Sequence, residues 1–392
     1  EKICSGFYIF DIESNPDEKH DFLYGFLKVN NLSIKKEDLI YEPILNLKKK
    51  KGESNRQIIV VVEMSGNHQN SYRKMIRFVD KSIKFGADVI KFQVYKPDTI
   101  TFNSKKKQFL VKSDNKKWSR YKSLYQLYDK AHTPWKWIEK IAKYLNSRKF
   151  PWFASVFDNT SVDFLQKLKC PAYKVASPEI TDIGLIEKIM KTNKPIILSS
   201  GLATTKDLDL AINTIKKKHN KIAILKCTSS YPAPIKDCNL NSIKFLKERY
   251  KLAVGFSDHT IGGQASEISA SLGATIIEKH FKLDDDKSSI DSHFSMKLSE
   301  LPTFKKTLNN INDYLGSYNL IIPKSARINL SGRRSLYVIK NIKKGETFSK
   351  KNIKSIRPHY GLHPSNFKKI IGKKAKKNIK AGTKLSYNLV IN

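Results

Sequence analysis

The sequence predicts an α/β protein, a (β/α)8 TIM barrel followed by a small C-terminal β-rich domain. Three observations carry this. Eight short apolar or β-branched runs recur along the chain, the kind of near-continuous hydrophobic strand that a parallel sheet covered on both faces requires. Most of these runs are followed by a helical pattern, as in a barrel whose strands alternate with helices. After Pro323 the pattern changes to short strands with Gly turns. An open doubly wound sheet is the structural rival, but the G-x-G-x-x-G turn that usually marks it is absent.

Residues 1–55 form an N-terminal extension of mixed composition leading into the charge run LKKKKGESNR. The barrel is expected over 56–318. Its strands are Ile58 to Met64, Asp88 to Val94, Phe150 to Val156, Ala172 to Ser177, Lys194 to Ser200, Lys221 to Ser229, Leu252 to Asp258 and Thr275 to Phe281. Between them, Thr133-Pro134 reads as an N-cap with Pro at the first helical position. Thr204 to His219 places Leu208, Ala211, Ile212 and Ile215 at helical spacing, and Ile261 to Leu272 ends at Gly273 as a C-cap would. Lys96 to Lys130 is too long for an ordinary connection, and loops of that size are functional excursions or surface insertions. A linker is expected over 319–330 and the small domain over 331–392, where N-I-K-x-G occurs twice, at Asn341 to Gly345 and Asn378 to Gly382.

With 40% hydrophobic residues in 392, the chain can cover a sizeable core, which excludes a disordered or fibrous protein. The net charge of +37 invites a polyanion-binding reading. However, 63 lysines against 10 arginines are a poor match for phosphate or base readout, which leans on the guanidinium fork. From Lys324 to Asn392 there are 19 basic residues and one acid, Glu346, so about half of the excess sits in the small domain. Four cysteines without a C-x-x-C pair exclude a disulfide scaffold, and Cys170 and Cys227 read as reduced core thiols. No run of about 20 apolar residues suggests a membrane span, and no basic-then-apolar leader opens the chain. The expected location is cytoplasmic, with neither membrane nor nucleic acid as partner. The chain starts at Glu1, as expected of a fragment or a processed product.

In a barrel, chemistry belongs at the C-terminal ends of the strands, where loops from all eight units converge. That rim collects Glu63, Lys91, Gln93, Ser155, Lys174, Ser177, Ser199, Ser229, Ser257, Asp258, His259, Glu278 and His280. Lys91 and Lys174 fall inside apolar runs, so they either point into the mouth or are costly buried charges. Two lysines beside many hydroxyls favour a phosphate or carboxylate site over a Schiff-base lysine. His259 and His280, at the ends of neighbouring strands, suit a divalent metal such as Mn²⁺ or Mg²⁺. Their spacing is no local metal motif, so a structural role stays open. Glu63, Glu278 and Asp291 are the candidate acid–base groups, unless Glu278 merely pairs with Lys279 or a rim lysine.

Residues 58–392 resemble the sialic-acid-type synthases of the nonulosonic acid class. The motifs are EMSGNH (Glu63 to His68), IKFQVY (Ile90 to Tyr95), PAYKVAS (Pro171 to Ser177), KPIILSSG (Lys194 to Gly201), KCTSSYPA (Lys226 to Ala233), GFSDHT (Gly255 to Thr260) and IEKHF (Ile277 to Phe281). EMSGNH, the run RRSLYV (Arg333 to Val338) and SIRPHYGLHP (Ser355 to Pro364) are closer in form to the pseudaminic acid branch than to the N-acetylneuraminate branch. The C-terminal segment is similar to the antifreeze-like SAF domain. Val156 and Pro178 stand where Pro and Phe are usual, and LDDDKSSID lacks the usual basic and Gly/Pro residues before Asp291.

The resemblance implies a metal-dependent condensation of phosphoenolpyruvate with an open-chain acetamido sugar in a domain-swapped homodimer. It implies His259 and His280 as metal ligands, and Lys91, Ser155, Lys174, Ser177, Ser199, Ser229 and Ser257 around phosphoenolpyruvate. Gln93, Tyr231 and Asp291 would lie near it or the sugar, Glu63 would be the base toward water, and Arg357 of the neighbouring chain would reach the sugar's amide. A neuraminic or legionaminic acid synthase would share the rim and differ in the sugar-facing loops. A non-enzymatic polyanion-binding protein would need no metal site.

Overall fold

A computed structural model describes residues 58–112 and 118–391; the N-terminal extension lies outside them. Eight parallel strands close on themselves in sequence order: β1 (Ile59–Glu63), β2 (Val89–Val94), β3 (Trp152–Val156), β4 (Tyr173–Val175), β5 (Ile196–Ser199), β6 (Ile222–Cys227), β7 (Ala253–Asp258) and β8 (Ile276–Lys282). Pairing of β1 with β8, Ile59 opposite Ile276 and Glu63 opposite His280, completes the barrel. A two-residue strand, β9 (Met296–Lys297), adds to β8. All eight expected strands are present, each within the range read from the sequence or one residue beyond it.

Strand side chains alternate between two environments. Val60 and Val62 of β1, Ile90 and Phe92 of β2 and Ile277 of β8 face the helices in the larger apolar core. Ile59, Val61, Val89, Phe153, Ala172, Ile197, Ala223, Leu225 and Ile276 face the lumen and fill its N-terminal half. At about 1.5–3 kcal/mol for each large apolar side chain fully buried, this inner plug is a principal source of barrel stability.

The surrounding helices are α1 (Tyr72–Lys84), α2 (Leu124–Ala131), α3 (Trp135–Ser147), α4 (Asn159–Lys167), α5 (Ile183–Lys191), α6 (Thr205–Lys216), α7 (Ser242–Tyr250), α8 (Gln264–Ser271) and α9 (Leu301–Leu315). α6 opens on a capping box, with the Thr204 hydroxyl accepting from the Asp207 amide at 3.2 Å and the Asp207 carboxylate accepting from the Thr204 amide at 2.8 Å. Pro134 is the cap of α3 rather than its first residue. α8 starts at Gln264, three residues later than the apolar spacing suggests. The chain after β7 first forms a loop through Gly262 at φ +80°, which leaves Ile261 exposed. Gly273, at φ +112°, follows the end of α8 as expected. The excursion after β2 holds two short helical turns, and Leu110 bridges to Ser123 where it returns to α2.

Contacts divide the chain into two units, meeting at Gly316 and Ser317. The second unit has its own core of Leu336, Val338, Ile342, Phe348, Ile353, Ile370, Ala375, Ile379, Leu385, Leu389 and Val390. Its regular strands are β10 (Ser335–Val338) and β11 (Ile353–Ile356), antiparallel to each other. The two N-I-K-x-G segments face one another. Ile342 bridges to Ile379, the Asn341 side chain accepts from the Ala381 amide, the Asn378 side chain accepts from the Lys344 amide, and Gly345 and Gly382 sit at φ +79° and +84°. No helix among the described residues is long and apolar enough to cross a membrane.

Candidate active site

Continuing up each strand from the apolar plug, the next lumen-facing positions are polar. Glu63 is in register with Lys91 and His280, Gln93 with Ser155, Ser155 with Lys174, and Ser257 with Glu278. Glu63, Lys91, Ser155, Lys174, Ser199, Ser257, Glu278 and His280 are all buried.

Four of these charges form one lattice. Glu278 Oε1 accepts from Lys91 Nζ at 2.7 Å, Lys174 Nζ at 2.5 Å and Ser257 Oγ at 2.9 Å. Lys91 Nζ also lies 2.7 Å from Glu63 Oε2, and Glu63 Oε1 accepts from the Ser65 amide at 2.6 Å. Burial works against the charge on Lys91 and, despite Glu278, brings its pKa down to about 7, with Lys174 adding to the fall. Burial opposes charge on Glu278 too, but Lys174 and Lys91 together hold its carboxyl far below the usual range. Both lysines therefore point into the mouth, and Glu278 pairs with rim lysines, as one of the alternatives had it. Lys279 points the other way, with Nζ 3.0 Å from Asp258 Oδ2. Asp258, expected on the rim, also accepts from the Thr260 amide at 2.8 Å and Ser266 Oγ at 2.6 Å. Strand alternation sends Ser257 inward and Asp258 outward.

Hydroxyls line the same mouth. Ser177 Oγ accepts from the Gly201 amide at 2.8 Å and lies 3.6 Å from Cys227 Sγ, which is 3.7 Å from Ser229 Oγ. A side chain at position 201 would stand 2.8 Å from both Ser177 Oγ and Cys227 Sγ, so glycine is what lets these groups converge. Ser199 Oγ is buried and has no hydrogen-bond partner among the described residues, which leaves a donor for an oxyanion. Cys170, Cys227 and Cys238 are all free and buried.

Beside them the rings of His259 and His280 are 5.4 Å apart. His259 Nδ1 is 2.9 Å from the Thr228 carbonyl, an acceptor, so Nδ1 donates there. His280 Nδ1 is buried, has no hydrogen-bond partner among the described residues and stands 3.8 Å from Asp291 Oδ2. Burial, reinforced by His259 and Lys91, pushes the His280 pKa well below 6.5, so the ring is neutral. A neutral imidazole with an idle ring nitrogen, beside a second imidazole, suits a divalent cation. Among the described residues, no group of three His, Cys, Asp or Glu side chains assembles a closed metal cage. Asp291, whose carboxyl burial pushes up, accepts from Ser65 Oγ at 2.6 Å.

The wall carries more than the sequence reading named. Tyr231 packs on His259 at 4.3 Å, and Phe294 lies 4.9 Å from His280 and 5.5 Å from Tyr231. Trp118, from the excursion after β2, lies 5.4 Å from Tyr231. Glu179, just past β4, has a buried Oε2 without a partner among the described residues, and burial raises its carboxyl to about 7. Arg357 belongs to the second unit, beside Arg333 and Arg334 in a cavity of about 700 Å³.

Residues 78–319 match the NeuB family and residues 333–391 the SAF domain. The chain is 39% identical over 333 residues to the pseudaminic acid synthase of Campylobacter jejuni, covering 85% of this chain and 96% of that one. It is 40% identical over 329 residues to the pseudaminic acid synthase of Helicobacter pylori, covering 83% and 96%. In three dimensions it is similar to the N-acetylneuraminic acid synthetase of Leptospira borgpetersenii, with a TM-score of 0.60 and 27% identity over 71% of this chain and 91% of that one. A closed parallel barrel with this polar crown, matched over most of its length by such relatives, makes the chain a member of the NeuB family with a C-terminal SAF domain.

Proposed function

We propose that the chain is a pseudaminic acid synthase, condensing phosphoenolpyruvate with 2,4-diacetamido-2,4,6-trideoxy-L-altrose and water to give pseudaminic acid and phosphate. The observation that carries this is the crown of two lysines, hydroxyls and two imidazoles, on a chain so similar to pseudaminic acid synthases.

Lys91 and Lys174, with Ser155, Ser177, Ser199, Ser229 and Ser257, hold the phosphate and carboxylate of phosphoenolpyruvate, taking over part of the charge that Glu278 balances in the free chain. His259 and His280 would hold a divalent ion, Mn²⁺ or Mg²⁺, which when bound would supply a Lewis acid for the sugar's aldehyde. Gln93, Tyr231, Glu179 and Asp291 orient the reactants beside it. C3 of phosphoenolpyruvate attacks the aldehyde carbon, which forms the C–C bond and leaves positive charge at C2. Water adds at C2, with its proton passing to Glu63, which the Ser65 amide and Lys91 hold in position. The bond from C2 to the phosphate oxygen then breaks, the departing phosphate takes the proton of the C2 hydroxyl, and the keto acid remains. Asp291, 3.8 Å from His280, would hand a proton to the alkoxide formed from the aldehyde oxygen.

The reading includes a homodimer in which Arg357 of one copy reaches the sugar's amide in the other. The exposed run Tyr318, Leu320, Ile321 and Ile322 supports an association that covers it. Free buried cysteines fit a cytoplasmic setting.

The test is a substrate panel. With Mn²⁺, the purified chain should release inorganic phosphate from phosphoenolpyruvate when the diacetamido-trideoxyhexose is present and not in its absence. Release with N-acetylmannosamine instead would move the assignment to the neuraminate branch. No release with any sugar, beside steeply salt-dependent DNA binding, would favour the polyanion-binding alternative.

A further inference from the structure

Trp118 lies in the excursion after β2, away from every strand end, and the reaction above gives it no task. Its indole Nε1 is buried and has no hydrogen-bond partner within the described residues. Buried indole N–H groups almost always find an acceptor, so an idle one beside an active site points to an acceptor that arrives with a ligand. The location agrees. The Trp118 ring is 5.4 Å from Tyr231, Tyr231 is 4.3 Å from His259, and Phe294 joins Tyr231 at 5.5 Å and His280 at 4.9 Å. Three aromatic rings thus frame the side of the mouth that the imidazoles occupy. Such a wall accepts a methyl group readily, whereas a hydroxymethyl group would lose hydrogen bonds to water against it.

We propose that Trp118 is a specificity-determining residue of the sugar site, its indole N–H donating to the carbonyl of the acetamido group at C4, while the neighbouring Tyr231 ring packs on the methyl of that group. This inference rests on the synthase reading and deepens it. It assigns to one side chain the discrimination between sugars that carry a second acetamido group and sugars with a hydroxyl there.

The experiment is steady-state kinetics of Trp118→Phe, which keeps a ring and removes the donor. Two sugars are compared, the diacetamido-trideoxyhexose and its analogue with a hydroxyl in place of the C4 acetamido group. For the diacetamido sugar, kcat/KM should fall about tenfold, carried by KM, with kcat within about twofold, as loss of one hydrogen bond to substrate implies. For the hydroxyl analogue it should stay within about twofold of the unmutated chain, so that the preference shrinks. Equal losses for both sugars, or a preference unchanged in the variant, would overturn the role of Trp118. An unmutated chain that turns over neither sugar would bring down the synthase reading itself, and the inference with it.

Discussion

The two halves of the barrel lumen are built on the same eight strands with opposite chemistry. Toward the N-terminal ends, Ile59, Val61, Val89, Phe153, Ile197, Leu225 and Ile276 interlock without a polar atom. One step further along the same strand faces stand Glu63, Lys91, Ser155, Ser199, Ser257 and Glu278, held by ion pairs and hydrogen bonds. The lower half can bury its side chains at no electrostatic penalty. The upper half keeps two ammonium groups and two carboxylates out of water, and such a lattice survives only while every member has its partner. The apolar half supplies the stability on which the charged half rests.

Breaking one member in each half should expose the difference. Glu278→Gln removes the carboxylate shared by Lys91 and Lys174 and should lower stability by about 3–5 kcal/mol, as uncompensated buried charges do. Ile276→Val in the plug should lower it by only about 0.5–1.5 kcal/mol and leave turnover intact. Urea unfolding of the two variants decides this, and similar losses would mean that the halves do not differ in kind.

A smaller effect separates the halves by pH, because only the upper one titrates. Lys91 has its pKa lowered to about 7 in the folded chain, and anion binding needs the ammonium form. Affinity for phosphoenolpyruvate should therefore be highest below about pH 7 and fall by up to about tenfold per unit above it, as calorimetry between pH 6 and 9 would read. An unchanged affinity across that range would mean that Lys91 stays charged in the free site. The sign for stability is opposite. A lysine depressed on folding binds its proton less tightly than in the unfolded chain, so its contribution to the ligand-free protein rises from about pH 7 toward the ordinary lysine value of 10.5. Glu278, depressed as well, contributes above its ordinary 4.5, and that contribution is lost in acid.

Much of the crown was legible in the sequence because period-2 alternation and strand ends are local signals. An apolar run with a lysine at its centre, such as VIKFQV, can only send that lysine inward or bury it unpaired. The same rule, applied one residue too generously at Ser257-Asp258, put Asp258 on the rim, where alternation turns it toward Lys279. Trp118, Phe294 and Glu179 escaped notice for a different reason. They come from loops or a short 3-10 turn, where no periodicity fixes direction, and only closure of the barrel brings them to one mouth. The reciprocal packing of the two N-I-K-x-G segments was signalled by their repetition, but their pairing through Ile342 and Ile379 was not.

Phosphate release by His259→Ala, His280→Ala and their double variant decides whether the polar half of the lumen works as the metal-dependent synthase site proposed above. With Mn²⁺, phosphoenolpyruvate and the diacetamido sugar, each single variant should lose at least about a thousandfold in turnover with its circular dichroism spectrum unchanged, because the Lewis acid would have lost a ligand. Full activity in the double variant would contradict the account.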